Sequence, residues 1–167
     1  MFGYFAMKNS DNYGPYEVEW ENYATCRGPK SLNLSVYTPT LIKQPDGSYR
    51  YLLNITFTDT VKIEEIRMNV NTIKGGKKTI LWNVNVNKPC QHYMLAAMLE
   101  TYFGVKNCWV KKGDVFVDMP LTELMVKYIG TSFFYGDYLF KVVVNSKKAN
   151  LACLVFDPTF KKKGKTP

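Results

Sequence analysis

The stretch YRYLLNITF, residues 49–57, places a large apolar side chain at every second position. These residues are Tyr49, Tyr51, Leu53, Ile55 and Phe57. Successive side chains of a β-strand point to opposite faces, so this spacing is typical of a strand with one buried face. The stretch therefore predicts a long strand whose odd-numbered side chains face a core.

The same alternation recurs on both sides of this strand. It appears in LNLSVY (32–37), in 80–86, in 138–144 and in LACLVF (151–156). Turn signals separate the runs, including QPDG and KGGKK, and a change of phase near Glu64-Glu65 suggests a bulge or bend. About seven or eight short strands with turns between them are typical of an antiparallel sandwich or cup.

Two segments depart from this alternation. CQHYMLAAMLETYFG (90–104) has apolar residues at helical spacing and ends at Gly104, which predicts one short helix. LTELMVKY (121–128) has apolar residues at positions i, i+3, i+4 and i+7, the spacing of a one-sided helix. It lies within an apolar stretch, residues 119–134, for which we expect a loop or a short one-sided helix.

Length and charge suggest one domain with basic ends. The chain has 167 residues and a net charge of +8, and lysines 161, 162, 163 and 165 account for half of that charge. We expect an N-terminal extension over 1–16, a single domain over 17–158 and a basic tail over 159–167. Such a tail is a solvated terminus or a site of attraction to anionic lipid headgroups.

The cysteines favour disulfides. Cys26, Cys90, Cys108 and Cys153 make an even count without a CxxC pair, which fits two disulfides better than a zinc site and leaves three pairings open. Two glycosylation sequons begin at Asn33 and Asn54. Together these features predict a secreted protein or one in the lysosomal lumen.

The sequence offers little for catalysis. His92 is the single histidine, and Glu64 and Glu65 would point to opposite faces of a strand. KGGKK lacks the spacing of a phosphate-binding loop. The aromatic residues share strand faces with aliphatic ones, which is core placement and argues against nucleic acid. We expect no enzyme activity, no cofactor, no metal and no nucleic-acid partner.

The residues also resemble a known family. VEWENYATC (18–26) is similar to the first strand of the ganglioside activator branch of the ML lipid-recognition domains. The run 90–121 resembles its helix, the following cysteine and a strand that ends in Pro. FFYGDYLFKVVV (133–144) and ACLVF (152–156) resemble its closing hairpin. Insect CheB-type chemosensory proteins share this layout. Trp109 stands where the family often has Pro.

The resemblance implies a fold and a set of disulfides. It implies a mostly β, immunoglobulin-like cup of two antiparallel sheets, with one short helix and an apolar loop. It pairs Cys26 with Cys153 and Cys90 with Cys108. It also implies an apolar cavity that holds a lipid and contains no catalytic residues.

Three functions follow as hypotheses. The first is extracellular binding and transport of a lipid or other hydrophobic small molecule. The second is a lipid-presenting activator, which extracts lipid from a membrane surface for a hydrolase or receptor. The third is a structural or adhesion sandwich without a ligand.

Site residues are predicted in two groups, and ordinary core packing is the alternative for each. The expected cavity rim is Trp109, Met119, Leu121, Leu124, Met125, Ile129, Phe133 and Phe134. The expected cavity wall is Leu53, Ile55, Phe57, Met68, Trp82, Phe140 and Val142. Replacing Phe133 and Phe134 with Ser is expected to weaken ligand uptake more than stability.

Overall fold

Strands dominate the computed structural model, which describes residues 12–164. The strands are β1 (Tyr13–Thr25), β2 (Leu32–Asn33), β3 (Ser35–Lys43), β4 (Tyr49–Phe57), β5 (Val61–Lys62), β6 (Glu65–Lys74), β7 (Lys77–Asn87), β8 (Trp109–Val110), β9 (Gly113–Pro120), β10 (Ser132–Phe134), β11 (Gly136–Asn145) and β12 (Ala149–Lys162). The helices are a 3₁₀ turn (Pro89–Gln91), α1 (Tyr93–Phe103) and α2 (Leu121–Ile129). No described helix has the length and apolar character needed to cross a bilayer.

Two sheets of unequal width form the body of the molecule, and β5 and β8 pair as a separate two-stranded sheet. The large sheet has seven strands, in the order β10-β1-β12-β11-β6-β7, with β2 added beside β12. The small sheet has three strands, in the order β3-β4-β9. Apart from the parallel β2–β12 pair, the strand pairs are antiparallel. The predicted mostly β, antiparallel two-sheet architecture is confirmed.

The small sheet is built on β4, which spans the predicted 49–57. Tyr51, Leu53, Ile55 and Phe57 are buried, whereas the alternating Asn54 is exposed. Strand β9 follows the same rule, with Val117 fully buried. The sheet therefore presents one apolar face inward and one polar face outward, as the alternation predicts.

Side chains of β3 hold the small sheet to the large one. The Tyr37 hydroxyl accepts a hydrogen bond from the Cys153 backbone N–H at 2.7 Å and donates one to the Cys153 carbonyl at 3.2 Å. The Ser35 hydroxyl donates to the Leu151 carbonyl. These bonds connect side chains of the small sheet directly to backbone groups of β12 in the large sheet.

Both disulfides implied by the resemblance are confirmed. Cys26 is bonded to Cys153 and Cys90 to Cys108. The first bond joins the end of β1 to β12, and the second joins the 3₁₀ turn to the residue before β8.

The one-sided segment within the expected apolar loop forms a complete helix, α2. It ends at Gly130, whose φ of 103° favours glycine. Tyr16 donates its hydroxyl hydrogen to the Gly130 carbonyl at 2.6 Å, and the Tyr49 N–H donates to Thr122 Oγ1 at 2.8 Å. The structure therefore has two α-helices, and both ends of α2 are bound to strands.

The strands run past the predicted domain limits. β1 begins at Tyr13, within the expected extension, and β12 ends at Lys162, within the expected tail. Lys161 contacts Glu19 at 2.7 Å across these strands. Residues 1–11 of the extension and 165–167 of the tail lie outside the described residues.

The two disulfides should contribute unequally to stability. Cys26–Cys153 spans 127 residues and Cys90–Cys108 spans 18. A longer closed loop removes more entropy from the unfolded chain, about 5 kcal/mol against about 3 kcal/mol. The double variant Cys26→Ala/Cys153→Ala should therefore lose about 2 kcal/mol more than Cys90→Ala/Cys108→Ala in urea unfolding. Equal losses would contradict this ranking.

Candidate functional site

The inner face of the large sheet is a continuous apolar surface. In the pairing register Val142 lies opposite Met68, and Met68 lies opposite Val84. Val70 lies between Phe140 and Trp82 in the same way. Directly opposite residues of antiparallel strands point to the same face, so these side chains line one surface. Met68 and Val142 pack against the β4 core, which places this surface between the two sheets.

The small sheet does not cover this face completely. Trp82 and Val84 on β7 are 47% and 43% exposed, while Val86 on the same strand is buried. The inner-face apolar residues that are only half-buried are Tyr37, Leu41, Met68, Val70, Val115, Met119, Phe140, Val142, Val144 and Phe156. A closed core packs such residues to high density. The interior is therefore partly open, and it opens toward the β7 edge.

Aromatic rings close the end of the interior next to α2. Phe133 is buried, and its ring centroid lies 4.8 Å from that of Phe160, 5.5 Å from Tyr138 and 6.0 Å from Trp82. Trp20 packs edge-on against neighbouring rings of the same group. We refer to this group as the aromatic cluster. Its members are Trp20, Phe133, Tyr138, Phe140, Phe156 and Phe160.

The aromatic cluster contains two side chains with a hydrogen-bond donor, and one of these donors has a partner. The Tyr138 hydroxyl donates to the Phe134 carbonyl at 2.8 Å, and burial raises the pKa of Tyr138. Trp20 is 8% exposed, and its indole Nε1–H has no acceptor among residues 12–164. A buried donor without a partner costs about 1–3 kcal/mol. Trp20 therefore holds an unused hydrogen-bond donor inside an apolar site.

The predicted rim residues divide into three environments. Leu124, Met125 and Phe133 are buried. Met119, Leu121 and Ile129 are half-buried against the core, and Phe134 is 55% exposed. Of the predicted wall, Leu53, Ile55 and Phe57 are buried in the core, whereas Met68, Phe140 and Val142 line the partly open interior. Trp82, a predicted wall residue, contacts Phe133, a predicted rim residue.

Trp109 lies apart from the rest of the predicted rim. It is 52% exposed at a cleft of about 390 Å³, which Phe57 also lines. This cleft is at the opposite end of β4 from α2, roughly 26 Å away at about 3.3 Å per residue. Further apolar lining comes from Phe103, Val105, Val110 and Val115. The sequence did not single out these residues, because only the return of the chain after α1 brings them together.

A second cleft is polar. It measures about 560 Å³ and lies where β2 and β3 meet β12. Asn33, at its wall, accepts a hydrogen bond at Oδ1 from Asn150 Nδ2 at 2.8 Å. Asn54 is exposed on the outer face of β4. Glycosylation of these two asparagines stays a prediction.

Ionisable groups form no evident reaction centre in the part of the chain from 12 to 164. No group of three or more His, Cys, Asp or Glu residues there could hold a metal ion. His92 is exposed just before α1. Burial raises the pKa of Glu65, but hydrogen bonds from Arg67, Asn85 and Asn145 outweigh it and hold the pKa below its ordinary value. Glu65 thus acts as a structural anion between β6, β7 and β11.

Comparison with known proteins gives distant structural likenesses. Neither a family model nor a curated protein matches this chain. It is similar to chicken MD-1 in a structure complexed with lipid IVa, at 13% identity and a TM-score of 0.40, over 86% of this chain and 97% of that one. It is similar to a Niemann-Pick type C2 protein from Japanese carpenter ant, at 10% identity and a TM-score of 0.31, over 86% and 92%.

A third likeness is to the C-terminal domain of wzt, at 12% identity and a TM-score of 0.35, over 92% of this chain and 78% of that one. These values are low, and none of the three decides a family. The resemblance to the ganglioside activator branch and to CheB-type proteins stays a prediction.

The structure changes what is expected of Phe133. Both neighbouring phenylalanines were expected to affect ligand uptake more than stability, but Phe133 is buried among rings and Phe134 is exposed against Tyr13. Phe133→Ala should lower the free energy of unfolding by about 3–5 kcal/mol, because it leaves a cavity. Phe134→Ala should cost less than about 1 kcal/mol. Urea unfolding measures both, and similar losses would show that Phe133 is not a core residue.

Proposed function

We propose that this protein binds a lipid or similar hydrophobic small molecule between its two sheets and carries it through water. The observation that supports this function is the partly open inner face of the large sheet. Met68, Phe140 and Val142 are half-buried there, although they face inward. A ligand chain laid on this face would complete their burial.

Binding would be driven by desolvation. Each methylene group that leaves water contributes about 0.8 kcal/mol. The surface along β6 and β11 offers Val, Met and Phe side chains without a buried charge between them. A long hydrocarbon chain could therefore bind with little polar recognition, and its length would be limited by the aromatic cluster at one end.

Trp20 adds one point of polar recognition. Its indole N–H has no acceptor in the described part of the chain and is buried beside Phe140 and Phe156, both of which are half-buried on the inner face. A ligand oxygen, such as a carbonyl, ester or hydroxyl oxygen, would accept this hydrogen bond. The favoured ligand is then an apolar chain that carries an oxygen acceptor.

The setting we propose is extracellular or the lumen of the lysosome. Two disulfides favour an oxidising compartment, and both sequon asparagines are exposed. The proposed role involves no catalytic step. A second candidate function, presentation of an extracted lipid to a hydrolase or receptor, is favoured by the exposed apolar residues on β7 beside the opening.

Filling the interior should abolish binding without harming the fold. In Val142→Phe the larger ring would occupy the open space, so displaceable binding of the fluorescent probe N-phenyl-1-naphthylamine should weaken at least about tenfold, or ~1.4 kcal/mol. Thermal stability should hardly change, because the ring enters open space. The matched control, Val36→Phe, enlarges an exposed side chain on the outer face of the small sheet and should change neither property.

If the interior is solid, Val142→Phe would overpack it and cost about 1–3 kcal/mol. That result, together with no lipid in solvent extracts of the purified protein by mass spectrometry, would favour the ligand-free structural sandwich.

Removing the indole donor should reduce discrimination between ligands. Trp20→Phe deletes the N–H and keeps an aromatic ring, so the variant should lose the preference for methyl tetradecanoate over pentadecane in displacing the probe. In wild-type protein, the Trp20 indole N–H resonance should shift downfield on addition of the ester but not of the alkane. Equal preference in both proteins and an unmoved resonance would contradict a role for Trp20.

A further inference from the structure

One long segment of the chain carries basic residues and no acidic ones. No Asp or Glu occurs between Glu65 and Glu100, although the chain has 14 acidic residues in all. The basic residues of this segment are Arg67, Lys74, Lys77, Lys78 and Lys88. The segment includes most of β6, all of β7 and the first turns of α1. The segment therefore carries an excess of positive charge, although Arg67 forms an ion pair with Glu65 and Asp137 of β11 lies opposite Ile73.

The same segment exposes large apolar side chains. On β7, Ile80 is 69% exposed and Leu81 is 41% exposed, in addition to Trp82 and Val84. Of the residues of β7, Val86 alone is buried. Scattered exposed apolar residues are normal on protein surfaces, but a contiguous group of them marks an interaction site.

Within residues 12–164, strand β7 is one edge of the large sheet. It pairs with β6 on one side and ends the strand order. The register slips by one residue between Trp82 and Ile80, which leaves Leu81 without a direct partner. Because an edge strand has a neighbour on one side alone, the side chains of both its faces and its backbone can contact a flat external surface at the same time.

The basic and apolar groups are close together. The β6–β7 turn contains Gly75 and Gly76, both with positive φ, and it holds Lys74 beside Lys77. Lys77 and Ile80 are three residues apart on β7, or roughly 10 Å at about 3.3 Å per residue. We define the docking edge as Lys74, Lys77, Lys78, Ile80, Leu81 and Trp82.

We propose that the docking edge binds to an anionic lipid surface. Lysines at the turn would attract anionic headgroups, each contributing about fivefold to the binding constant. Ile80 and Leu81 would insert among the headgroups, and tryptophan is enriched at such interfaces. A second copy of the chain fits this edge less well, because edge-to-edge pairing would bring two acid-free basic segments together.

This surface lies next to the opening of the interior. Trp82 belongs to the docking edge, and its ring also contacts Phe133 of the aromatic cluster. A docked molecule would thus turn its opening toward the bilayer, so that a ligand could pass between them without crossing water. This last consequence rests on the proposed function, whereas docking itself does not.

Vesicle binding tests the docking edge. Sedimentation with sucrose-loaded phosphatidylcholine vesicles, with and without phosphatidylserine, is measured at low and high salt. The wild-type protein should bind when phosphatidylserine is present and weaken as salt rises. Lys77→Gln/Lys78→Gln should weaken binding about 25-fold. The control Lys147→Gln/Lys148→Gln removes an exposed lysine pair from the β11–β12 turn and should have little effect.

The apolar part has its own pair of variants. Ile80→Ser/Leu81→Ser should reduce vesicle binding at least tenfold, even at high salt. Val36→Ser/Phe116→Ser removes two exposed apolar residues from the outer face of the small sheet and should leave binding unchanged. Circular dichroism and melting curves establish that all variants are folded, which is expected because the changed residues are exposed.

Several outcomes would overturn the inference. Wild-type protein that ignores phosphatidylserine, or equal losses in the control variants, would show that this edge is not a membrane surface. If Ile80→Ser/Leu81→Ser instead abolishes self-association, the edge pairs copies of the chain. Binding of N-phenyl-1-naphthylamine is measured on the same variants, so that a failure of docking can be told apart from a failure of the proposed function. A protein that binds the probe but does not bind vesicles would overturn docking alone.

Discussion

The small sheet is narrower than the large sheet that it must cover. Three strands face a sheet whose main path contains six, so β4 is buried along its length while the inner faces of β6, β7 and β11 are not. Backbone hydrogen bonds fix strand spacing at about 4.8 Å, so three strands cannot span the width of six. Helix α2 and the aromatic cluster cover part of the inner face that the small sheet leaves open. What stays uncovered is apolar and faces inward, which is the physical basis of the proposed ligand binding.

The two ends of the interior differ because different elements close them. Near α2, the β10 segment pairs with the start of β1 and brings Phe133 under the helix, which makes a well-packed end. At the β7 edge the described residues add no further strand, and Trp82 lies between the packed end and the surface. The Trp20 indole donor, which has no acceptor between residues 12 and 164, is costly for the free protein within the packed end. A ligand oxygen at that place would recover the cost, so stability and ligand selectivity would be linked there.

Period-two alternation predicted the strands well because burial of one face leaves a direct mark on the sequence. The run 49–57 became β4 with the expected face inward, and the phase change at Glu64-Glu65 matches the boundary between β5 and β6. Trp82 alternates with the same regularity, yet it is half exposed, because alternation reports which face a residue takes and not whether another sheet covers that face. Trp109 was predicted at the cavity rim, and the structure places it at the far end of β4.

The sequence by itself determined the β-rich class, the even cysteine count, the helical spacing of α1 and α2, and the acid-free segment between Glu65 and Glu100. Each of these depends on local spacing or composition. Only the tertiary structure decided that Phe133 is core and Phe134 is surface, that the Trp20 donor lacks a partner within residues 12–164, and that β7 ends the order of the described strands. These properties depend on which strands become neighbours, and neighbours in space are set by long-range pairing that no local pattern records.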